Sequence, residues 1–168
     1  MSRVVILMGS KSDEEKVRPC ADVLKELGIS FTITVSSAHR TPERTREIVR
    51  EQEEAGAQVF VCAAGMAAHL AGAVAAITVK PVIGIPLSAD GLAGMDALFS
   101  TVQMPPGYPV AAVALNKAGA CNAAWLAAQI LALSEPALRE KIEAARAAMR
   151  EEVKKAGEDI QKKYAAGQ

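Results

Sequence analysis

Residues 4–13 read Val4-Val5-Ile6-Leu7-Met8-Gly9-Ser10-Lys11-Ser12-Asp13, and this stretch decides the fold. Five consecutive apolar residues, three of them β-branched, leave no polar face for water. Such a run suits a strand buried on both sides, as in a parallel sheet. Gly9 ends it. Ser12 and Asp13 can cap a following helix, with Asp13, Glu14 and Glu15 as acids in its first turn. Val17, Ala21, Val23, Leu24 and Leu27 give that helix an apolar face, and Gly28 stops it.

The unit then repeats. Phe31 to Val35 reads as a second strand. Thr41 is placed as an N-cap with Pro42 at the first helical position, opening a helix to about Ala55 and Gly56. Val59 to Ala63 is a third strand, followed by a small-residue helix from about Ala67. Val82 to Ile85 is a fourth, closed by Pro86. Val110 to Leu115 is a fifth, leading into an Ala-rich helix from about Gly119 to Leu133. Residues 86–109 hold four prolines and three glycines and read as irregular. Strand and helix alternate throughout, so an α/β fold with an open parallel sheet and helices on both faces is expected. From Glu135 to about Tyr164 the chain reads as one long helix with a thin apolar stripe: Leu138, Ile142, Ala145, Met149, Val153 and Ile160. Such a stripe suits either a neighbouring subunit or a solvated helix along its own domain. No linker or repeat divides residues 1–168, so a single domain is expected.

Composition narrows the function. Hydrophobic residues make up 51% of the 168, which is globular rather than disordered. Lys and Arg balance Asp and Glu at 19 each, which argues against broad attraction to nucleic acid or to an anionic membrane. No apolar run reaches the roughly 18 residues of a membrane span. The first residues lack a signal pattern. Cys20, Cys62 and Cys121 are odd in number and widely spaced, with no C-x-x-C pair. Buried thiols in a reducing compartment, and hence a cytoplasmic protein without a zinc site, are expected.

In open parallel sheets, ligands bind beyond the carboxyl ends of the strands. The unusual residues cluster at three such ends. After the first strand, Gly9-Ser10-Lys11-Ser12-Asp13 offers a tight turn, hydroxyls and helix N–H groups, which suits a phosphate; a simple helix cap is the plainer alternative. It is neither a Walker A loop nor a G-x-G-x-x-G fingerprint. After the second strand comes Ser37-Ala38-His39-Arg40-Thr41-Pro42. Arg40 can fork onto a phosphate or carboxylate, and histidine is the side chain suited to proton transfer near neutral pH. A surface His-Arg pair without a role is the alternative. After the third strand, Ala64-Gly65-Met66-Ala67-Ala68-His69-Leu70 combines small residues with the only acidic or basic side chain between Val59 and Val79. A satisfied core histidine would be its plainer explanation. No nucleophile elbow or H-E-x-x-H is present. Two histidines, one arginine and a hydroxyl-rich turn point to metal-free proton transfer on a phosphorylated small molecule.

These segments resemble the PurE family of carboxyaminoimidazole ribonucleotide mutases. The matching pieces are Gly9 to Asp13, Ser37 to Pro42, Ala67 to Leu70, Ser100-Thr101-Val102-Gln103-Met104-Pro105, and Ala118 to Ala124, in family order across nearly the whole chain. The resemblance implies a flavodoxin-like three-layer α/β/α sandwich with a long C-terminal helix. It implies a homo-octamer, and the tail over about 135–168 is expected at a subunit interface; a carboxyl shift of this kind needs no cofactor or metal. The implied reaction converts N5-carboxyaminoimidazole ribonucleotide to 4-carboxy-5-aminoimidazole ribonucleotide in purine biosynthesis, through trapped carbon dioxide. His39 corresponds to the family's general acid/base. Ser10, Asp13 and Arg40 correspond to its ribonucleotide-binding positions, and Ser12, Ser37, Ala38, Ala64, Gly65, Ala68, His69 and Leu70 are expected to complete the substrate site.

One segment departs from the pattern. The usual mutase sequence is Gly-Ala-Gly-Gly-Ala-Ala-His-Leu-Pro-Gly, and here Ala63 and Met66 replace two glycines and Ala71 the proline. Carboxylases that use free carbon dioxide carry a Gly-Arg-Ser-Asn-like segment without a histidine there, so His69 favours the mutase. A direct aminoimidazole ribonucleotide carboxylase on the same fold is the alternative. A non-catalytic nucleotide-binding module would not need two histidines near one phosphate-ready turn.

Overall fold

A computed structural model describes residues 2–89 and 91–165. The long tail expected over 135–168 therefore has its last three positions, 166–168, outside the described residues. The chain divides into two compact units, Met1–Ala128 and Gln129–Gln168.

The first unit holds five parallel strands in the order β2-β1-β3-β4-β5. They are β1 (Val4–Met8), β2 (Phe31–Val35), β3 (Val59–Gly65), β4 (Val82–Leu87) and β5 (Ala111–Ala112). This is the flavodoxin-like order, and its switch point lies between β1 and β3, whose following connections leave in opposite directions. β1 is buried along its whole length, as expected of a strand with a neighbour on each side and helices above and below.

The helices between strands are α1 (Glu14–Glu26), α2 (Pro42–Glu54), α3 (Leu70–Ala75) and α4 (Met95–Val102). α5 (Asn116–Ala132) follows β5. Strand pleating sorts the core into two layers. Val5, Leu7, Phe60, Cys62 and Val82 share one cluster with Ile48 and Val49 of α2 and with Leu70, Ala71 and Val74 of α3. A methyl group on Gly84 would meet Thr101 of α4 at 2.3 Å on this same side. On the opposite side, Ile85 lies 3.3 Å from where a Cβ of Gly119 in α5 would stand. The sheet is therefore covered on both faces, which gives the expected three layers. Phe60 is fully buried; truncating such a side chain to alanine removes about 3–5 kcal/mol.

Several boundaries differ from the sequence reading. The Pro- and Gly-rich stretch 86–109 was expected to be irregular, yet α4 lies within it. Its N-cap is Gly94 at φ 88°, a left-handed position that glycine adopts freely. Pro86 does not close β4 but sits inside it, opposite Ala64. β5 pairs only with Ile83 and Gly84, so Pro86 lies beyond the reach of that neighbour, where a missing N–H is tolerated. β5 itself is two residues, shorter than Val110 to Leu115 suggested. α3 begins at Leu70 rather than near Ala67, and α5 at Asn116 rather than near Gly119.

In the second unit, α6 spans Pro136–Ala165. Leu138 and Ile142 are buried, whereas Met149, Val153, Ile160 and Tyr164 are exposed. No helix among the described residues is long and apolar enough to cross a membrane.

Candidate active site

A cavity of about 950 Å³ opens at the carboxyl ends of β1, β2, β3 and β4, all within the first unit. Its position follows from topology, because connections leaving β1 and β3 in opposite directions open a crevice between them.

The β1 end supplies a capped turn. Lys11–Asp13 form one turn of 3₁₀ helix leading into α1. Ser10 caps this turn: the Ser12 N–H donates to Ser10 Oγ, and the Ser10 N–H donates back to Asp13 Oδ2 at 3.0 Å, while Asp13 holds the N-cap position of α1 without a side-chain bond to that helix. This reciprocal arrangement is a capping box. The plain capping role and a place in the cavity wall therefore coexist, since Ser10, Ser12 and Asp13 all line it. Burial raises the Asp13 carboxyl above its ordinary value, against the opposing effects of the Ser10 N–H and the Lys16 charge.

The β2 end is stiffened before it reaches its functional side chains. Ser36 Oγ and Thr45 Oγ1 share a buried hydrogen bond of 2.7 Å, which ties the strand end to α2. The Thr41 side chain does not cap α2. Its hydroxyl instead accepts the Ser37 N–H and donates to the Ser37 carbonyl, both at 3.1 Å. The closed turn presents Ser37, Ala38, His39 and Arg40 to the cavity. Arg40 Nη2 reaches the Gly9 carbonyl at 3.5 Å.

The β3 end brings the second histidine to the first. His39 Nε2 and His69 Nδ1 stand 2.8 Å apart, with ring planes at 85°. One nitrogen must carry the shared hydrogen and the other accept it, so the two tautomers are coupled. His69 precedes the first residue of α3, and Leu70, although buried, still contributes to the wall. Ala64 and Gly65 line the floor. A Cβ on Gly65 would come within 2.9 Å of the Leu87 carbonyl oxygen, so β3 and β4 can approach this closely only with glycine there. Ala68 is the one expected site residue outside the wall: it is 2% exposed and packed in the core.

Of the wall residues that escaped the sequence reading, three are linked by hydrogen bonds. The Lys16 ammonium donates to the Ser88 carbonyl beyond β4. The Ser88 N–H donates to Asn116 Oδ1 at 2.9 Å, and Asn116 Nδ2 donates to Ser88 Oγ at 2.8 Å. Together they join α1, the β4 end and the start of α5 around one side of the cavity. Lys16 lies three residues after Asp13, the helical spacing that puts two side chains on one face, so it could have been flagged. Ser88 follows a fourth strand end, where the same topological rule applies. Asn116 carried no local signal.

The wall thus offers Arg40 and Lys16 as cations, Asp13 as an acceptor, hydroxyls on a turn, and a coupled histidine pair. Cys20 and Cys62 are not part of it; burial, with Cys121 nearby, pushes the Cys20 thiol up to about 12, and burial alone raises that of Cys62. Among the described residues no three His, Cys, Asp or Glu side chains converge as metal ligands would.

Comparison with known proteins adds a second line of observation. Residues 3–152 match the family model described as AIR carboxylase. The N5-carboxyaminoimidazole ribonucleotide mutase of Thermotoga maritima is 48% identical over 153 residues, covering 91% of this chain and 88% of that protein. The mutase of the same name from Escherichia coli K12 is 45% identical over 152 residues, 90% of each chain. Among solved structures, PurE of Treponema denticola superposes with a TM-score of 0.81 at 32% identity, covering 95% of this chain and 96% of that one.

Proposed function

The chain belongs to the AIR carboxylase family, and we propose that its pocket isomerises N5-carboxyaminoimidazole ribonucleotide to 4-carboxy-5-aminoimidazole ribonucleotide, a mutase step of purine biosynthesis. The observation that carries this function is the hydrogen-bonded pair His39–His69, set in one cavity with Arg40 and the Ser10–Asp13 turn.

The reaction moves a carboxyl group from a nitrogen to a ring carbon. The N–C bond of the carbamate breaks and releases carbon dioxide, and the nitrogen gains a proton. The ring carbon, made nucleophilic by its amino group, bonds to the carbon dioxide and then loses its own proton. One proton leaves carbon and one arrives at nitrogen, so a single group can carry both transfers. His39 is that acid/base, and His69 orients it and fixes which ring nitrogen carries hydrogen. No redox change occurs.

The rest of the wall binds the ribonucleotide. Arg40 and the hydroxyls of Ser10 and Ser12 suit the phosphate, the N–H groups of those two serines being engaged within the turn. Asp13 would repel a phosphate, so its remaining acceptor capacity suits a ribose hydroxyl. Ser37, Ala38, Ala64, Gly65 and Leu70 bring backbone and small apolar surface against the ring. Buried Ala68 supports the His69 loop from beneath rather than touching the ligand. The proposal includes a cytoplasmic homo-octamer, with residues 135–168 at its subunit contacts. Three free cysteines, two of them buried, fit a reducing compartment.

The description of the family as AIR carboxylase favours a second activity, direct carboxylation of the aminoimidazole ribonucleotide by free carbon dioxide. Substrate use separates the two. A mutase consumes the carbamate at a rate that added bicarbonate leaves unchanged. A rate that rises in proportion to bicarbonate, with the uncarboxylated ribonucleotide as substrate, would establish the carboxylase instead.

A further inference from the structure

Three residues other than glycine adopt a left-handed backbone among the described residues: Met66 at φ 56°, Ala93 at φ 52° and Asn116 at φ 56°. All three line the cavity. Side chains disfavour this conformation, because Cβ crowds the following carbonyl, and glycine would adopt it freely. Strain of this kind persists where the surrounding structure has a use for it. Asn116 has such a use, since its side chain is hydrogen-bonded to both the N–H and the hydroxyl of Ser88. Met66 has no polar contact to explain its position. It lies between Gly65 at the floor and His69 in the pair, and it is 66% exposed. A long apolar side chain is thus held, at an unfavourable backbone, on the open side of the cavity.

We propose that Met66 is the shield that retains carbon dioxide between the two half-reactions. This rests on the isomerase function set out above. Once the carbamate N–C bond has broken, carbon dioxide is a small uncharged molecule, and no ion pair or strong hydrogen bond holds it. Only exclusion of escape routes keeps it beside the ring carbon. A thioether side chain with three rotatable bonds can fold over a flat ring and adapt to its shape, and it brings no water with it. The left-handed backbone sets where that side chain starts, three residues before His69 in the wall that both histidines line. Escape needs only water: the nitrogen has already taken its proton, the uncarboxylated ribonucleotide leaves, and hydration of the lost carbon dioxide to bicarbonate releases one proton, which balances the one the acid gave up. Met66 therefore governs how often the carboxyl group is delivered rather than lost.

The test uses Met66→Leu, Met66→Ala and Met66→Gly in the full chain. Each is given the carbamate in ¹³C-labelled bicarbonate, with an enzyme-free blank subtracted. Two quantities are read: the ratio of C-carboxylated to uncarboxylated product, and the label in the C-carboxylated product. Met66→Leu keeps an apolar cover and is expected to match the wild type. Met66→Ala and Met66→Gly are expected to lower the ratio at least about tenfold, with label appearing, as the loss of apolar contact in a closed site would do. Met66→Gly should melt above Met66→Ala, because glycine relieves the backbone while both lack the side chain. A folding defect therefore cannot mimic the effect. Alanine and glycine variants that turn over more slowly at an unchanged ratio would overturn the shield. A wild type that makes no C-carboxylated product would overturn the isomerase function itself, and the shield with it.

Discussion

His39 Nε2 and His69 Nδ1 are joined by a 2.8 Å hydrogen bond, although thirty residues separate them in the chain. Among the described residues, no protein group is bonded to the opposite ring nitrogens, His39 Nδ1 and His69 Nε2, which are the ones open to a ligand. Rotation of one ring, or a change of its tautomer, is felt by the other.

The pair therefore predicts unequal effects of substitution. His39→Asn is expected to lower kcat by about 10²–10⁴, the contribution of a positioned acid/base. His69→Asn removes one orienting hydrogen bond and should lower kcat by about tenfold, with little change in KM and an altered pH–rate profile. Steady-state rates on the carbamate across pH provide the check. A His39→Asn enzyme with more than a tenth of wild-type activity would remove His39 from its role.

Asp13 predicts a conflict between stability and binding. Burial raises its carboxyl above the ordinary 3.8. A native value above the unfolded one means that the folded chain holds the proton more tightly. The stabilisation is fully present below the unfolded value and is lost as pH rises through the native value. At neutral pH the carboxylate is held against that penalty. Asp13→Asn keeps an oxygen for the Ser10 N–H and removes the charge. Its Tm at pH 7 should equal or exceed that of the wild type, while KM rises. A Tm lower by more than about 4 °C, on the order of 1 kcal/mol, would refute this.

The Asn116–Ser88 bonds can be separated from the strain at Asn116. Asn116→Gly removes the bonds and relaxes φ 56°, while Asn116→Ala removes the bonds and keeps the strain. Both should destabilise, alanine more than glycine, with a loss of about 1–3 kcal/mol for the alanine variant. Hydrogen exchange at the Ser88 amide should quicken in both. Protection equal to wild type would show that the bond does not hold the β4 end.

The second unit predicts assembly. Met149, Val153, Ile160 and Tyr164 leave apolar surface exposed along α6. If residues 135–168 form subunit contacts, deleting them lowers the mass measured by light scattering. An unchanged mass would reject that role.

Most of the fold was legible locally. The apolar run Val4–Met8, the Thr41-Pro42 helix start and the stops at Gly28 and Gly56 each depend on a few adjacent residues, and the structure places elements where those signals stand. α4 was hidden because glycines and prolines flank an eight-residue helix and dominate the window in which it would be read. The strand-end rule likewise placed Ser10, Asp13, His39, Arg40 and His69 around one cavity. Ala68, expected in the same site, is buried outside the wall of that cavity, because a loop residue between two wall residues can turn either outward or into the core, and spacing does not say which.

By itself, then, the sequence determined the alternating strands and helices and which loops carry chemistry, since periodicity and turn chemistry act over one or two helical turns. Only the tertiary structure decided that two histidines share one hydrogen, that Lys16 meets Ser88 across 72 residues, and that Met66 stands strained at the cavity. Those relations depend on strand order and register, which bring together residues whose local sequences carry no record of each other.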